Sequence, residues 1–226
     1  MQIKPENYIR QIEAIFNAHR NPEIAGQMEA YMRNQFQFLG IKAPARRELL
    51  KPFLTKANLP PLNELNNIVV HFWENPQREY QFIVMEMANR YIKEMTPEYF
   101  KLFEYMISTK PWWDTVDFIA SNLVGSLALH YPYQGMNQIN RWRKSNNLWL
   151  VRTCLIFQLK YKDKVDEKLL FSLIEENIEH PDFFIRKAIG WALRQYGKFE
   201  PENVITFVNS HALSGLSKRE ALKNLK

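Results

Sequence analysis

The strongest constraint on the fold is an internal repeat. Four polar residues, Gln81, Asp117, Arg152 and Arg186, are separated by 36, 35 and 34 positions. An apolar pair follows each of them after two positions and again after six. These pairs read Ile83-Val84 and Met87-Ala88, Ile119-Ala120 and Leu123-Val124, Cys154-Leu155 and Gln158-Leu159, and Ala188-Ile189 and Ala192-Leu193, with Gln158 the one polar member. Apolar pairs one turn apart are typical of the buried stripe of a helix packed between neighbours.

The remaining pattern predicts helices throughout. Most of the twelve prolines precede segments with apolar residues at helical spacing, as in Pro22-Glu23-Ile24, where proline suits the first helical turn. No sustained alternation of apolar and polar residues indicates a strand. We therefore expect an all-α fold: a superhelical array of stacked antiparallel helix pairs, or HEAT-like repeat solenoid, forming a single domain over residues 1–226. Equivalent positions would then line one concave groove, with the four polar anchors in a row.

The net charge of +6 is unevenly distributed along the chain. Residues 1–140 contain 14 basic and 14 acidic groups, whereas residues 141–226 contain 16 basic and 10 acidic groups. The excess in the C-terminal part predicts a polyanionic partner. The alternative is a solvated basic face without a ligand.

Several other classes of protein are disfavoured. No run of eighteen apolar residues indicates a membrane span. Cys154 is the single cysteine and lies in an apolar stretch, which predicts a buried side chain and a reducing, cytoplasmic location. The five histidines are isolated from one another, and the seven glycines form no phosphate-binding loop, so we expect neither a metal nor another cofactor.

The segment Pro111-Trp112-Trp113-Asp114-Thr115-Val116-Asp117 is the most informative for function. It places Trp113 and Asp117 one helical turn apart on the same face. A buried face rarely carries an aspartate, and a solvated face rarely carries a tryptophan, so the pair indicates a lined cleft. The alternative is a core tryptophan with an aspartate that forms a salt bridge elsewhere.

The chain also resembles a known family. The resemblance rests on Trp112-Trp113-Asp114-Thr115-Val116-Asp117, on Arg152, and on the segment from Phe184 to Arg194 that contains Ile189-Gly190-Trp191. Similar stretches upstream are 38–47 and 72–81. Together they resemble the DNA alkylation repair glycosylases built from HEAT-like repeats, the AlkD-like family.

The resemblance implies hydrolysis of the N-glycosidic bond of positively charged alkylated purines, such as 7-methylguanine and 3-methyladenine, in double-stranded DNA. The family's catalytic residues match Trp113, Asp117, Arg152 and Trp191. No lysine belongs to this matched set, so strand cleavage through a Schiff base is not expected. We further expect Arg152, Lys160, Lys162, Lys187 and Arg194 to contact DNA, and the protein to act as a monomer. A DNA role for Lys42, Arg46 or Arg47 is the weaker expectation.

Physical reasoning supports these roles independently. An alkylated purine carries a positive charge and leaves as a neutral base, so positive charge develops on the sugar. A carboxylate such as Asp117 stabilises that charge and orients the attacking water. Indole faces attract cations, which suits Trp113 and Trp191 to a charged lesion. Arg152 suits a backbone phosphate, and its alternative is a structural ion pair with Asp117.

We interpret Trp73, Trp142 and Trp149 as packing residues. Phe183 and Phe184 fit either the core, which we favour, or the groove. The rival function is a non-catalytic helical-repeat module that binds nucleic acid or a protein.

Overall fold

The computed structural model describes residues 4–223 and Leu225. This part of the chain consists of helices, turns and one isolated β-bridge between Gln37 and Gln77. The predicted all-α fold class is confirmed, whereas the superhelical array and the single domain stay predictions. The chain divides into two compact units, within residues 1–94 and 95–226.

The described residues of the first unit form five α-helices: α1 (Pro5–Ala18), α2 (Pro22–Tyr31), α3 (Ala43–Leu50), α4 (Leu65–Glu74) and α5 (Arg78–Arg90). Proline occupies the first turn of α1, α2 and α3, as the sequence predicts. The side chain of Asn21 caps α2 by accepting a hydrogen bond from the backbone N–H of Ile24. Helices α4 and α5 pack against each other.

Two polar side chains at the start of α5 organise the backbone of the first unit. Glu79 is fully buried, and its carboxylate accepts the backbone N–H groups of Leu39, Gly40 and Ile41 at 2.9, 3.0 and 3.0 Å. The amide nitrogen of Gln81 lies 3.0–3.1 Å from the carbonyl oxygens of Phe72, Trp73 and Asn75 at the end of α4. Since a buried backbone group without a partner is costly, both side chains are structural.

The second unit contains nine α-helices among its described residues. They are α6 (Phe100–Ser108), α7 (Trp113–Phe118), α8 (Gly125–His130), α9 (Pro132–Trp142), α10 (Leu148–Ile156), α11 (Glu167–Glu175), α12 (Phe183–Tyr196), α13 (Pro201–Ser210) and α14 (Gly215–Ala221). A π-helical segment, Ile119–Val124, joins α7 to α8 without a break. Helix α12 packs against both α10 and α14, and α10 also contacts α7.

The repeated apolar stripe is buried in both units, as predicted. All sixteen positions, including Gln158, are less than a tenth exposed. Gln158 is the polar exception, and it remains satisfied because its side-chain oxygen accepts the backbone N–H of Asp166 at 2.8 Å. The side-chain oxygen of Gln158 and the backbone N–H of Asp166 thus satisfy each other, so the apolar stripe tolerates a glutamine at this position.

The other packing assignments are confirmed. Trp73, Trp142 and Trp149 are buried, and burial raises the pKa of the Cys154 thiol. Across the described residues, none of the helices combines the length and apolar character needed to cross a bilayer.

Candidate functional site

The site begins where α7 starts. Trp112 is the extended residue before the helix, Trp113 opens it, and Asp117 follows one turn later. Trp113 and Asp117 line one cavity of about 240 Å³. Its other lining residues are Arg152 from α10, Phe183, Phe184, Lys187, Trp191 and Arg194 from α12, and Glu220 from α14. The structure thus brings Trp113, Asp117, Arg152 and Trp191 together, while their catalytic role stays a prediction.

Asp117 and Arg152 form a two-point ion pair. The Nε and Nη2 atoms of Arg152 donate to the two carboxylate oxygens of Asp117, each at 2.8 Å. Nη1 donates to the backbone oxygen of Phe184 at 2.5 Å. Three of the five guanidinium N–H groups are therefore used in fixing the site. The structural ion pair with Asp117, which was the alternative role for Arg152, is therefore present. A phosphate contact by the other N–H groups of Arg152 stays a prediction.

The Asp117 carboxylate is mostly enclosed but remains accessible. Its side chain is 17% exposed, against 5% for that of Arg152, and it contributes to the cavity wall. Burial raises the pKa of Asp117 above its ordinary value, while the hydrogen bonds and charge of Arg152 act in the opposite direction. The site therefore holds a desolvated anion in a fixed orientation, which is the arrangement that a developing positive charge requires.

The helix changes its winding directly after Asp117. The π-helical segment Ile119–Val124 begins two residues later, and the Ser121 hydroxyl donates to the backbone oxygen of Asp117 at 2.8 Å. The side-chain amide of Asn122 donates to the backbone oxygen of Phe118 at 2.9 Å. Side chains thus satisfy carbonyl groups next to the π-helical segment. Such segments recur at functional sites, which agrees with a specialised role for this turn.

An aromatic cluster of Trp112, Trp149 and Phe184 adjoins the site. The ring of Phe184 lies 5.2 Å from that of Trp112 and 5.0 Å from that of Trp149, and the two indoles are 5.8 Å apart. These separations are typical of favourable aromatic pairs. The cluster connects the start of α7, α10 and the start of α12, so it fixes the elements that carry Trp113, Arg152 and the Phe184 carbonyl.

The core position that we favoured is wrong for Phe183. Phe184 is only partly buried and also lines the cavity. Phe183 is 52% exposed, and both rings line the cavity. The side chain of Asp182 caps α12 by accepting a hydrogen bond from the backbone N–H of Phe184. The pattern of two adjacent aromatic residues at a helix start did not show whether they lie in the core or in a cavity wall.

The inner face of α12 carries two cations and one indole. Lys187 and Arg194 line the cavity with Trp191, and both pair with Glu220 of α14. The hydrogen bonds from Lys187 and Arg194 lower the pKa of Glu220 to about 2. Glu220 was missed by the sequence analysis, because the apolar repeat and the matched motif both lie outside α14. Lys187 also places a lysine at the cavity, although none belongs to the matched set.

The remaining predicted DNA contacts lie outside the lining of this cavity. Lys160 is exposed, and its ammonium donates to the side-chain oxygen of Asn122. Lys162 is exposed in the short 3-10 turn Lys162–Lys164. Their contacts with DNA stay predictions.

The predicted row of four polar anchors is wrong at its first member. Gln81 is fully buried, so it cannot lie on a groove surface. Arg186 donates through Nε to the backbone oxygen of His180 at 2.9 Å and is not part of the cavity lining. Arg46, one of the weaker candidates, is also buried, where it stacks on Phe82 and pairs with Glu86. Polar residues at equivalent repeat positions therefore serve different purposes.

Comparisons with known proteins agree with the resemblance. The family model described as "DNA alkylation repair enzyme" matches residues 12–225. A solved structure described as a predicted DNA alkylation repair enzyme from Enterococcus faecalis is 33% identical, with a TM-score of 0.86. The match covers 91% of this chain and 96% of that chain. A search of the curated proteins found no match.

Proposed function

Because the chain belongs to the DNA alkylation repair enzyme family, we propose that it is a monofunctional DNA glycosylase. Its substrates would be positively charged alkylated purines of the 7-methylguanine and 3-methyladenine type in double-stranded DNA. The observation that carries the proposal is the oriented Asp117 carboxylate in a cavity lined by two indoles. Family membership supports the broader role in DNA repair, and the chemistry of the cavity supports the specific reaction.

Asp117 supplies the charge that this reaction needs. As the glycosidic bond breaks, the electron pair of the bond moves to the purine, which becomes neutral, and the sugar gains oxocarbenium character. A carboxylate close to that sugar stabilises the cation and accepts a proton from the water that attacks it. Removal of one such electrostatic contact typically costs about 10²–10³-fold in rate.

Arg152 prepares the carboxylate for this role. Its two hydrogen bonds fix the rotation of the Asp117 carboxylate, and its bond to Phe184 fixes the guanidinium in turn. Preorganised charges require no rearrangement during the reaction. The other N–H groups of Arg152 would then serve the adjacent DNA phosphate, as the sequence analysis expects.

Trp113 and Trp191 would favour a charged lesion over an undamaged base. Cation–π contacts contribute about 0.5–2 kcal/mol each, depending on desolvation. A neutral purine gains much less from the same indole faces. The two residues would therefore contribute selectivity as well as binding.

Water rather than lysine is the proposed nucleophile. Lys187 lies at the cavity, but its ammonium donates to Glu220 at 2.8 Å. This contact engages the amine that a Schiff base would require, and no lysine belongs to the matched catalytic set. The product would be an intact strand with an abasic site, and no cofactor would be needed. The enzyme would act as a monomer in the cytoplasm, with residues 1–226 forming one repeat domain.

Purified protein incubated with duplex DNA treated with a methylating agent provides the test. We expect mass spectrometry to detect free 7-methylguanine or 3-methyladenine, with strand breaks only after alkali treatment. Borohydride should trap no covalent complex. Retention of DNA without release of a base would contradict the proposal and favour the non-catalytic binding module.

A further inference from the structure

A second charged cluster lies at the cavity. Unlike the Asp117–Arg152 pair, which is neutral overall, it contains more cations than anions. Lys187, Trp191 and Arg194 occupy positions i, i+4 and i+7 of α12, so they share one face. The two cations therefore flank Trp191 by about one turn on each side. All three residues line the cavity.

One carboxylate holds both cations. Lys187 Nζ lies 2.8 Å from Glu220 Oε1, and Arg194 Nη1 lies 2.5 Å from Glu220 Oε2. Each oxygen thus receives one donor from a different turn of α12. The cluster has two positive charges and one negative charge, so its net charge is positive.

A glycine lets α14 come close enough for this arrangement. A Cβ atom on Gly190 would lie 2.8 Å from the backbone oxygen of Ser217 and 2.5 Å from the Cβ atom of Glu220. Any larger residue at position 190 would therefore force α12 and α14 apart. The hydroxyl of Ser217 also donates to the backbone oxygen of Arg186 at 3.0 Å, which joins the two helices beside Glu220.

The cations remain open to a ligand. The side chains of Lys187 and Arg194 are 38% and 21% exposed, and that of Glu220 is 16% exposed. Glu220 uses one ammonium N–H of Lys187 and one nitrogen of Arg194, so it leaves further donors on both groups. Long cationic side chains lose conformational entropy when they bind, and a partner that already orders them reduces this cost.

We propose that Glu220 is a positioning residue that holds Lys187 and Arg194 at the cavity as a preorganised clamp for DNA backbone phosphates beside the lesion. The inference rests on the proposed function for the identity of the anion as duplex DNA. It assigns to Glu220 an effect that is transmitted through the two cations and requires no contact with the nucleotide.

The opposite role makes a contrary prediction. If Glu220 only neutralised the two cations, its removal would strengthen the attraction for DNA, because the protein would become more positive. If Glu220 positions them, its removal would weaken binding in spite of the added positive charge. The sign of the change in affinity therefore separates the two roles.

Glu220→Gln tests the proposal in binding experiments. The dissociation constant for an undamaged, fluorescently labelled duplex is measured over about 50–200 mM salt, where each phosphate contact contributes about 0.9 to the slope of log affinity against log salt. We expect affinity to fall by about tenfold, as for the loss of a charged hydrogen bond, and the slope to become shallower by about one. Unchanged or tighter binding with an unchanged or steeper slope would overturn the proposal.

A double-mutant cycle tests whether Glu220 acts through the cations. Lys187→Met combined with Arg194→Met should make the slope shallower by about two. Adding Glu220→Gln to this background should then change neither affinity nor slope, since the groups that it positions are absent. A further loss of affinity would show a direct or purely structural effect and would also overturn the proposal.

Glu176→Gln is the matched control. Glu176 also accepts two hydrogen bonds from an arginine, Arg143, at 2.6 and 2.8 Å, but both residues lie outside the cavity lining. This variant removes the same charge from the same unit and should not make binding weaker. Thermal melting of every variant checks folding, and a Glu220→Gln protein that loses affinity only in proportion to its unfolded fraction contradicts the positioning role.

The binding assay also separates this inference from the proposed function. A protein that releases no alkylated purine but shows the expected changes in affinity and slope would refute the glycosylase activity alone. A wild-type protein that does not bind duplex DNA would overturn the inference about Glu220 itself.

Discussion

Glu79, at the start of α5 in the first unit, and Asp117, near the end of α7 in the second, each precede a part of the repeated apolar stripe, yet they have different surroundings. Glu79 is fully buried and holds three backbone N–H groups of the segment Leu39–Ile41. Asp117 is held by a guanidinium and lines a cavity. A carboxylate thus serves the backbone in one unit and faces a cavity in the other.

The difference lies in what satisfies each carboxylate. Glu79 accepts three backbone N–H groups, so its removal would leave these peptide groups unpaired. Asp117 receives its hydrogen bonds from the Arg152 side chain, and its carboxylate remains accessible from the cavity. Matched substitutions at the two positions should therefore affect different properties, and their results can confirm or refute this contrast.

The largest expected effect is that of Asp117→Asn on base release. The amide keeps the size of the side chain but removes the negative charge, so we expect the single-turnover rate on methylated duplex DNA to fall by about 10³-fold. The substitution also directs an amide N–H group toward the enclosed Arg152 guanidinium, so we expect stability to fall as well, and the rate is expressed per folded molecule. A rate within a few fold of wild type would remove the distinction between the two carboxylates.

Glu79→Gln should lower stability without slowing base release. The amide loses the charge and directs an N–H group toward backbone donors, so we expect the free energy of unfolding to fall by about 2–3 kcal/mol in urea titration. The rate of base release per folded molecule should remain that of wild type. A stable but inactive Glu79→Gln protein would contradict the structural role.

Trp191→Ala tests whether this residue of the cavity wall favours a cationic purine. Loss of one cation–π surface should lower release of a cationic purine by about tenfold. Competition by an undamaged duplex should change less, because phosphate contacts dominate that binding. Equal losses for damaged and undamaged DNA would assign Trp191 to packing.

The smallest effect concerns pH. Asp117 must be ionised to act, and burial raises its pKa, so activity should be present at neutral pH and be lost as pH falls through that raised pKa. We expect the acid limb of the rate profile to lie above the ordinary aspartate value of about 3.9. Background acid depurination is subtracted with the Asp117→Asn protein. An acid limb at or below the ordinary value would indicate that Arg152 dominates over burial.

The sequence predicted the helical class and the buried stripe because apolar periodicity reports directly on which face a helix buries. It also identified Trp113, Asp117, Arg152 and Trp191, which the structure brings to one cavity. It failed for Gln81, since periodicity places a residue on a helix but does not specify its hydrogen-bond partners. Glu220 was missed because its role depends on the close approach of α12 and α14 at Gly190, a tertiary feature without a local pattern.

The most direct measurement of the central claim compares two duplexes that differ at one sugar. One carries a cationic pyrrolidine in place of the deoxyribose, and the other carries a neutral tetrahydrofuran. If Asp117 faces the positive charge that develops on the sugar, the wild-type protein should bind the cationic duplex more tightly by about 10²-fold or more, and Asp117→Asn should abolish the preference. Equal affinities for the two duplexes, or a preference that survives in Asp117→Asn, would contradict the account.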